Sequence, residues 1–163
     1  MTTHRRGFTL VEMLVTLTVL AILAVAIMPL VETTVKRDKE VVLRRALREI
    51  REAIDAYKKL ADEKKFEIED DSEGYPPDLE TLVKGVEVQA AENPEEESGG
   101  IGEKKLIRFL RRIPVDPMTG TTEWGLRSYQ DDADTDTWGE ENVYDVFTRS
   151  KAKALDGSKY RDW

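Results

Sequence analysis

Cysteine is absent from the 163 residues, and histidine occurs once, as His4. Without cysteine there can be neither a disulfide framework nor a thiolate nucleophile. With the single histidine so close to the start, the body of the chain lacks the commonest general base and zinc ligand. Enzymatic chemistry is therefore not expected, and no catalytic residue is assigned. Glycine is missing from Phe8 through Glu73, and Pro29 is the only proline in that stretch. Little there can break a helix. Positive charge is also short. The formal net charge is −8, from 25 basic and 33 acidic residues. Setting aside Arg5, Arg6 and Glu12, the only charged residues before position 32 apart from the neutral His4, leaves 23 basic and 32 acidic residues, a net −9. A domain of that sign is not expected to bind nucleic acid.

What the chain does have is one apolar run, Phe8 to Val31, with Glu12 as its sole charge. At about 1.5 Å per helical residue it reaches ~36 Å, enough for a bilayer core of about 30 Å. His4, Arg5 and Arg6 ahead of it form a basic leader of the kind held on the cytoplasmic side. No A-x-A-like cleavage site follows the run, and Gly7 is the small residue at its front boundary. The arrangement predicts a leader, residues 1–7, cut away before the helix. Residues 8–31 then remain as a transmembrane helix, with a globular domain over 32–163.

A carboxylate within hydrocarbon costs about 2.5–3.5 kcal/mol on insertion scales, so Glu12 needs a partner. No Lys, Arg or His lies between Phe8 and Val31. Cleavage after Gly7 would create one, a cationic amine on Phe8, one helical turn away. Pairing Glu12 with the Phe8 amine of a neighbouring subunit would neutralise both charges only in register, which makes Glu12 a candidate assembly residue. The plainer alternative places Glu12 at the membrane interface, solvated by headgroups.

Further on, Leu43, Leu47, Ile50, Ile54, Tyr57 and Ala61 recur at helical spacing among charged residues, the pattern of one buried stripe. One helix is predicted from about Phe8 to about Lys65, its second half (about 32–65) amphipathic, with a bend at Pro29. A coiled coil competes, but fewer than three heptads support it. Asp78–Gly85 predicts a short helix and Glu103–Arg112 another, with Leu106, Ile107 and Leu110 for burial. Glu87–Gly102 is expected to be a mobile insertion. Residues 123–129 and 142–148 have the aromatic and β-branched content of strands. Asp116–Gly120 and Asp156-Gly157 are turn chemistry. The fold class expected is α+β, a long helix packed on a small antiparallel sheet. Trp124, Trp138 and Trp163 are assigned to the core and its edges.

The motif Gly7-Phe8-Thr9-Leu10-Val11-Glu12, with a basic leader before it and the apolar run after it, resembles the processing signal of type IV pilins and pseudopilins. The resemblance implies cleavage between Gly7 and Phe8 by a prepilin peptidase, N-methylation of Phe8, and a helix-kinking role for Pro29 in the assembled helix. Ile113-Pro114-Val115-Asp116-Pro117, Trp124, Val143-Tyr144-Asp145-Val146 and Ala154-Leu155-Asp156-Gly157 resemble the globular domain of G-type pseudopilins of type II secretion systems. This implies a bacterial inner-membrane protein, single pass with a periplasmic C-terminal domain. It would polymerise with itself and with other pseudopilins and inner-membrane secretion components into a periplasmic fibre that drives protein export. A type IV pilus subunit for adhesion, motility or DNA uptake, and a membrane-anchored binding module that never polymerises, are the alternatives. The resemblance also implies a calcium-stabilised C-terminal loop, for which Asp145, Asp156 and Asp162 are the candidate ligands, although the glycine-rich loop itself is not recognisable. Asp132, Asp134 and Asp136 alternate as at the start of an EF-hand, but Thr137 and Val143 stand where glycine and glutamate belong. That stretch is expected to be a solvated acidic turn.

Overall fold

The computed structural model describes residues 7–68, 72–89, 104–132, 135 and 137–163, without the side chains at 26, 28–30 and 89. Helix α1 (Leu10–Asp62) is followed by α2 (Leu79–Lys84), strands β1 (Val86–Gln89), β2 (Lys104–Ile107), β3 (Gly125–Arg127) and β4 (Asp145–Phe147), and a 3-10 turn at Tyr160–Asp162. The chain divides into two compact units, Met1–Asp38 and Lys39–Trp163.

In the first unit the described residues before Lys36 are all exposed, apolar ones included. Two hydroxyls within the apolar run fold back onto the helix. Thr16 Oγ1 donates to Met13 O at 2.9 Å and Thr18 Oγ1 to Leu14 O at 2.7 Å. Such back-bonding hides the polar groups from whatever surrounds the helix. Among the described residues no helix is long and apolar enough to cross a membrane. The described side chains of the run are interrupted at Ala26 and at residues 28–30.

In the second unit the expected stripe is the core. Leu43, Leu47, Ile50, Ile54, Tyr57 and Ala61 are all buried, and they pack with Leu79, Leu82, Leu110, Trp124, Val143, Val146 and Tyr160. The helix ends slightly before the predicted boundary, at Asp62. Lys64 adopts φ 52°, Lys64 N–H donates to Ala61 O and Lys65 N–H to Leu60 O, a Schellman ending with lysine where glycine is commoner. Asp78 caps α2, accepting from Thr81 N at 2.6 Å, and Gly85 closes it at φ 84°. A Cβ at Gly85 would lie 2.3 Å from Ile107 O, so a side chain there would push β2 away.

Among the described residues, two two-stranded antiparallel sheets complete the α+β layer. β1 pairs β2 with Val86 opposite Ile107, and β3 pairs β4 with Leu126 opposite Val146. The first sheet corrects two expectations. Residues 104–107 are a strand and not the start of a helix over 103–112, and residues 87–89 belong to its partner strand and not to an insertion. Leu106 is largely exposed; Leu110 is buried beyond the strand, where Phe109 and Leu110 N–H both donate to Leu82 O at 3.0 Å. In so short a segment, helical spacing yields to a cross-strand partner, here strengthened by Lys104–Glu87 at 3.3 Å. The rest of the expected insertion, residues 90–102, lies outside the described residues.

The Asp116 turn does more than reverse the chain. Asp116 is fully buried and accepts hydrogen bonds from Met118 N, Thr119 Oγ1 and Thr148 Oγ1, fastening the turn to the end of β4. Trp124 Nε1 donates to Pro114 O at 2.9 Å. Trp138 and Trp163 also find indole partners, in Asn142 O and Ser158 Oγ, as expected of core and edge residues.

Tyr160 ties α1 to the C-terminal turn. Its ring is buried and its hydroxyl donates to Glu40 Oε1 at 2.9 Å. Burial first, and then the Glu40 carboxylate, push its phenol up to about 12. In the unfolded chain a tyrosine ionises near pH 10. The fold therefore holds the proton more tightly, and this contribution to stability is complete below about pH 10 and lost as pH rises towards about 12. Tyr75, raised mainly by burial, acts in the same direction. Thermal unfolding of the wild-type protein should weaken across that window more steeply than that of Tyr160→Phe. Equal slopes would mean that the Tyr160 proton is not held by the fold.

Candidate assembly site

The predicted processing and assembly residues lie at the start of α1. Gly7, Phe8 and Thr9 precede the helix, and the Phe8 side chain is 75% exposed. Thr9 is the cap. Its Oγ1 accepts from Glu12 N at 3.2 Å, and its carbonyl accepts from Met13 N at 3.1 Å. Thr9-Leu10-Val11-Glu12 is thus a capping-box sequence, a signal visible in the chain itself. It gives Glu12 a second, local role, because a carboxylate in the first turn offsets the positive end of the helix dipole, by about 0.3–1 kcal/mol.

Around that carboxylate the surface is apolar and uncovered. Leu10 is 81% exposed, and Val11, Met13, Leu14 and Leu17 are exposed as well. Among the described residues no cation pairs with Glu12. A helix apolar on all sides is stable only inside lipid or against other apolar helices. The site can therefore engage an apolar partner while presenting one carboxylate that needs a positive charge. α1 continues without interruption through position 29, whose side chain lies outside the described residues.

The candidate calcium ligands are not brought together. Asp145 is taken by Arg51, whose Nε lies 2.7 Å from Oδ1 and whose Nη2 lies 3.3 Å from Oδ2. The same guanidinium donates to Val146 O and Trp163 O, joining α1, β4 and the C-terminal turn. Asp156 accepts from Ser158 N and Oγ within its own turn, and these bonds hold its carboxyl below the usual carboxylate range. Asp162 lies beside Arg161 at 4.0 Å. Among the described residues no three acidic, histidine or cysteine side chains converge as metal ligands would. Asp134 and Asp136 of the alternating triplet lie outside the described residues. Asp132 is exposed there, while Asp131 accepts from Ser128 N and Gly139 N and shapes the turn.

Residues 2–28 match the family model described as the prokaryotic N-terminal methylation motif. No curated protein and no solved structure matches the chain. The matched motif is the one that directs a precursor to prepilin peptidase and to filament assembly, and members of that group are structural subunits. The N-terminal segment of this chain thus carries the methylation motif found in type IV pilin-like prepilins.

Proposed function

We propose that the protein is a pseudopilin of a type II secretion system, cut between Gly7 and Phe8, N-methylated on Phe8 and polymerised through α1 into a fibre that drives protein export. Before assembly it waits as a single-pass inner-membrane protein, with its leader arginines inside and residues 32–163 in the periplasm. The observation that carries this reading is the start of α1: an exposed apolar surface interrupted by a single carboxylate that has no cation partner among the described residues. Cleavage would place a cationic amine at the positive end of the helix dipole, where it is unfavourable unless a carboxylate meets it. In a bundle of such helices the Phe8 amine of one subunit meets Glu12 of the next. A head-to-tail contact of this kind leaves the polymer open.

The choice of a secretion pseudopilus over a pilus rests on the C-terminal resemblance. Two of its stretches touch, since Trp124 Nε1 donates to Pro114 O, and Asp116 is bonded to Thr148 just beyond β4. Arg149 Nε donates to Trp124 O at 3.1 Å. Intact-mass measurement of the protein extracted from membranes tests the processing. The expected species starts at Phe8, seven residues shorter than the precursor, and carries one extra methyl group. A mature species that starts at Met1, or one cut beyond Val31, would refute it. Deleting the gene should block export of folded proteins; loss of surface pili with export intact would instead favour the pilus subunit.

A further inference from the structure

Within residues 39–163, α1 from Val42 to Glu49, α2 and the segment Arg111–Val115 enclose a groove of about 850 Å³. Its lining combines Val42, Val83 and Val115 with Arg45, Arg111 and Arg112, and Glu49 also borders it. Lys84, also at its edge, is paired with Glu80 at 2.9 Å. The three arginines have no carboxylate partner among the described residues. Their guanidinium groups are therefore available to carboxylates from outside the domain.

A second surface has the complementary character. Tyr75, Tyr129 and Tyr144 cluster with ring centroids 5.3–5.9 Å apart, and Tyr129 and Tyr144 are 56% and 47% exposed. Asp132, three residues after Tyr129, and Glu140 and Glu141 are exposed, and Asn142, next to Glu141, accepts from Tyr129 N at 2.9 Å. From Gln130 to Asn142 the sequence contains no Lys or Arg. Tyrosine and arginine are the residues enriched at protein interfaces. Tyrosine buries a large rigid ring, and arginine can both stack on a ring and bond a carboxylate.

We propose that the arginine-lined groove docks the tyrosine-and-carboxylate face of a second copy of this chain. The inference rests on the polymer reading above and names the contact between globular domains within it. Position along α1 supports a repeating contact. The groove lies against Ala46, whereas Tyr75 lies beside Lys58, whose Nζ is 5.4 Å from the ring centroid. Twelve helical residues separate those levels, about 18 Å. Between parallel neighbours such an offset joins the lower face of one subunit to the upper face of the next, which propagates.

The absence of cysteine makes the test direct. Full-length chains carrying Thr122→Cys in the groove and Glu141→Cys on the acidic face are expressed together on one polypeptide, and sedimented filaments are oxidised. A disulfide ladder should form, while each single variant gives none. Arg111→Glu with Arg112→Glu should reduce the ladder at least tenfold, and adding Asp132→Lys with Glu140→Lys should restore it. Asp131 is left intact because it shapes its turn. Filaments that sediment without a ladder would overturn the groove contact and leave the polymer standing. A ladder indifferent to the charge reversal would overturn it too. Absence of both sediment and ladder would remove the contact together with the polymer on which it rests.

Discussion

Glu12→Val should leave the protein in the membrane but strongly reduce its polymerisation. In a single subunit headgroups and water can reach the start of α1, so a lone carboxylate there is tolerated. In a bundle of apolar helices the carboxylate and the Phe8 amine are both removed from water. Deleting one partner of such a pair costs about 3–5 kcal/mol, because the other charge is left buried and uncompensated. At about 1.4 kcal/mol per factor of ten, assembly should fall by roughly 100-fold or more per contact. The capping role of Glu12 complicates a single substitution, since the helix start would also weaken, though by less than about 1 kcal/mol. Two further variants separate the effects. Glu12→Gln keeps length and hydrogen bonding but loses the charge, and it should assemble nearly as badly as Glu12→Val. Glu12→Asp keeps the charge at shorter reach and should fall between. Sedimentable filament at matched expression is the measurement. If Glu12→Gln polymerises like wild type, charge pairing is not what registers the subunits; if the wild-type chain itself gives no sedimentable filament, a membrane-anchored module with no polymer becomes the better account.

Asp116→Ala should cause a large loss of stability in residues 39–163. The side chain is fully buried and its oxygens collect donors from its own turn and from Thr148 beyond β4. Alanine would leave Met118 N–H and the Thr148 hydroxyl without their acceptor. Unsatisfied buried groups cost about 1–3 kcal/mol each, and networks do not add fully, so a loss of about 2–4 kcal/mol is expected. Thr148→Val removes one donor while Asp116 keeps two, and about 1 kcal/mol should be lost. Urea unfolding of the detergent-solubilised chain, followed by tryptophan fluorescence, would report both as shifts in midpoint at unchanged slope. A loss below about 0.5 kcal/mol for Asp116→Ala would mean that water replaces the carboxylate. The turn would then not be what fastens β4.

Several elements were legible because their causes are local. The stripe from Leu43 to Ala61 has a helix period, and a helix with that period must bury that stripe. Asp78 and Gly85 bracket α2 by capping chemistry that acts within four residues. The unbroken run from Phe8, free of glycine and with one proline, predicted a helix that continues through position 29. The start of α1 was only half legible. Thr9-x-x-Glu12 is a capping signal in its own right, but the isolated charge drew attention to assembly first.

Other features depended on partners far away in sequence. Lys104–Ile107 carries enough helical spacing to suggest a helix, and only Val86–Gln89, across the intervening residues, makes it a strand. Asp145 looked available for a metal until Arg51, 94 residues earlier, arrived beside it. Asp116 read as an ordinary turn residue, and its burial follows from Thr148, 32 residues on. The same holds for the three tyrosines, which are scattered at positions 75, 129 and 144 and share one face only after folding. By itself the sequence determined what short-range periodicity, capping and a lone charge in an apolar run can determine: the helix, its buried stripe and its processing motif. The tertiary structure alone decided which carboxylates meet arginines or hydroxyls. Such pairs form only after the chain has closed long loops, and side chains of the same type remain equivalent until it does.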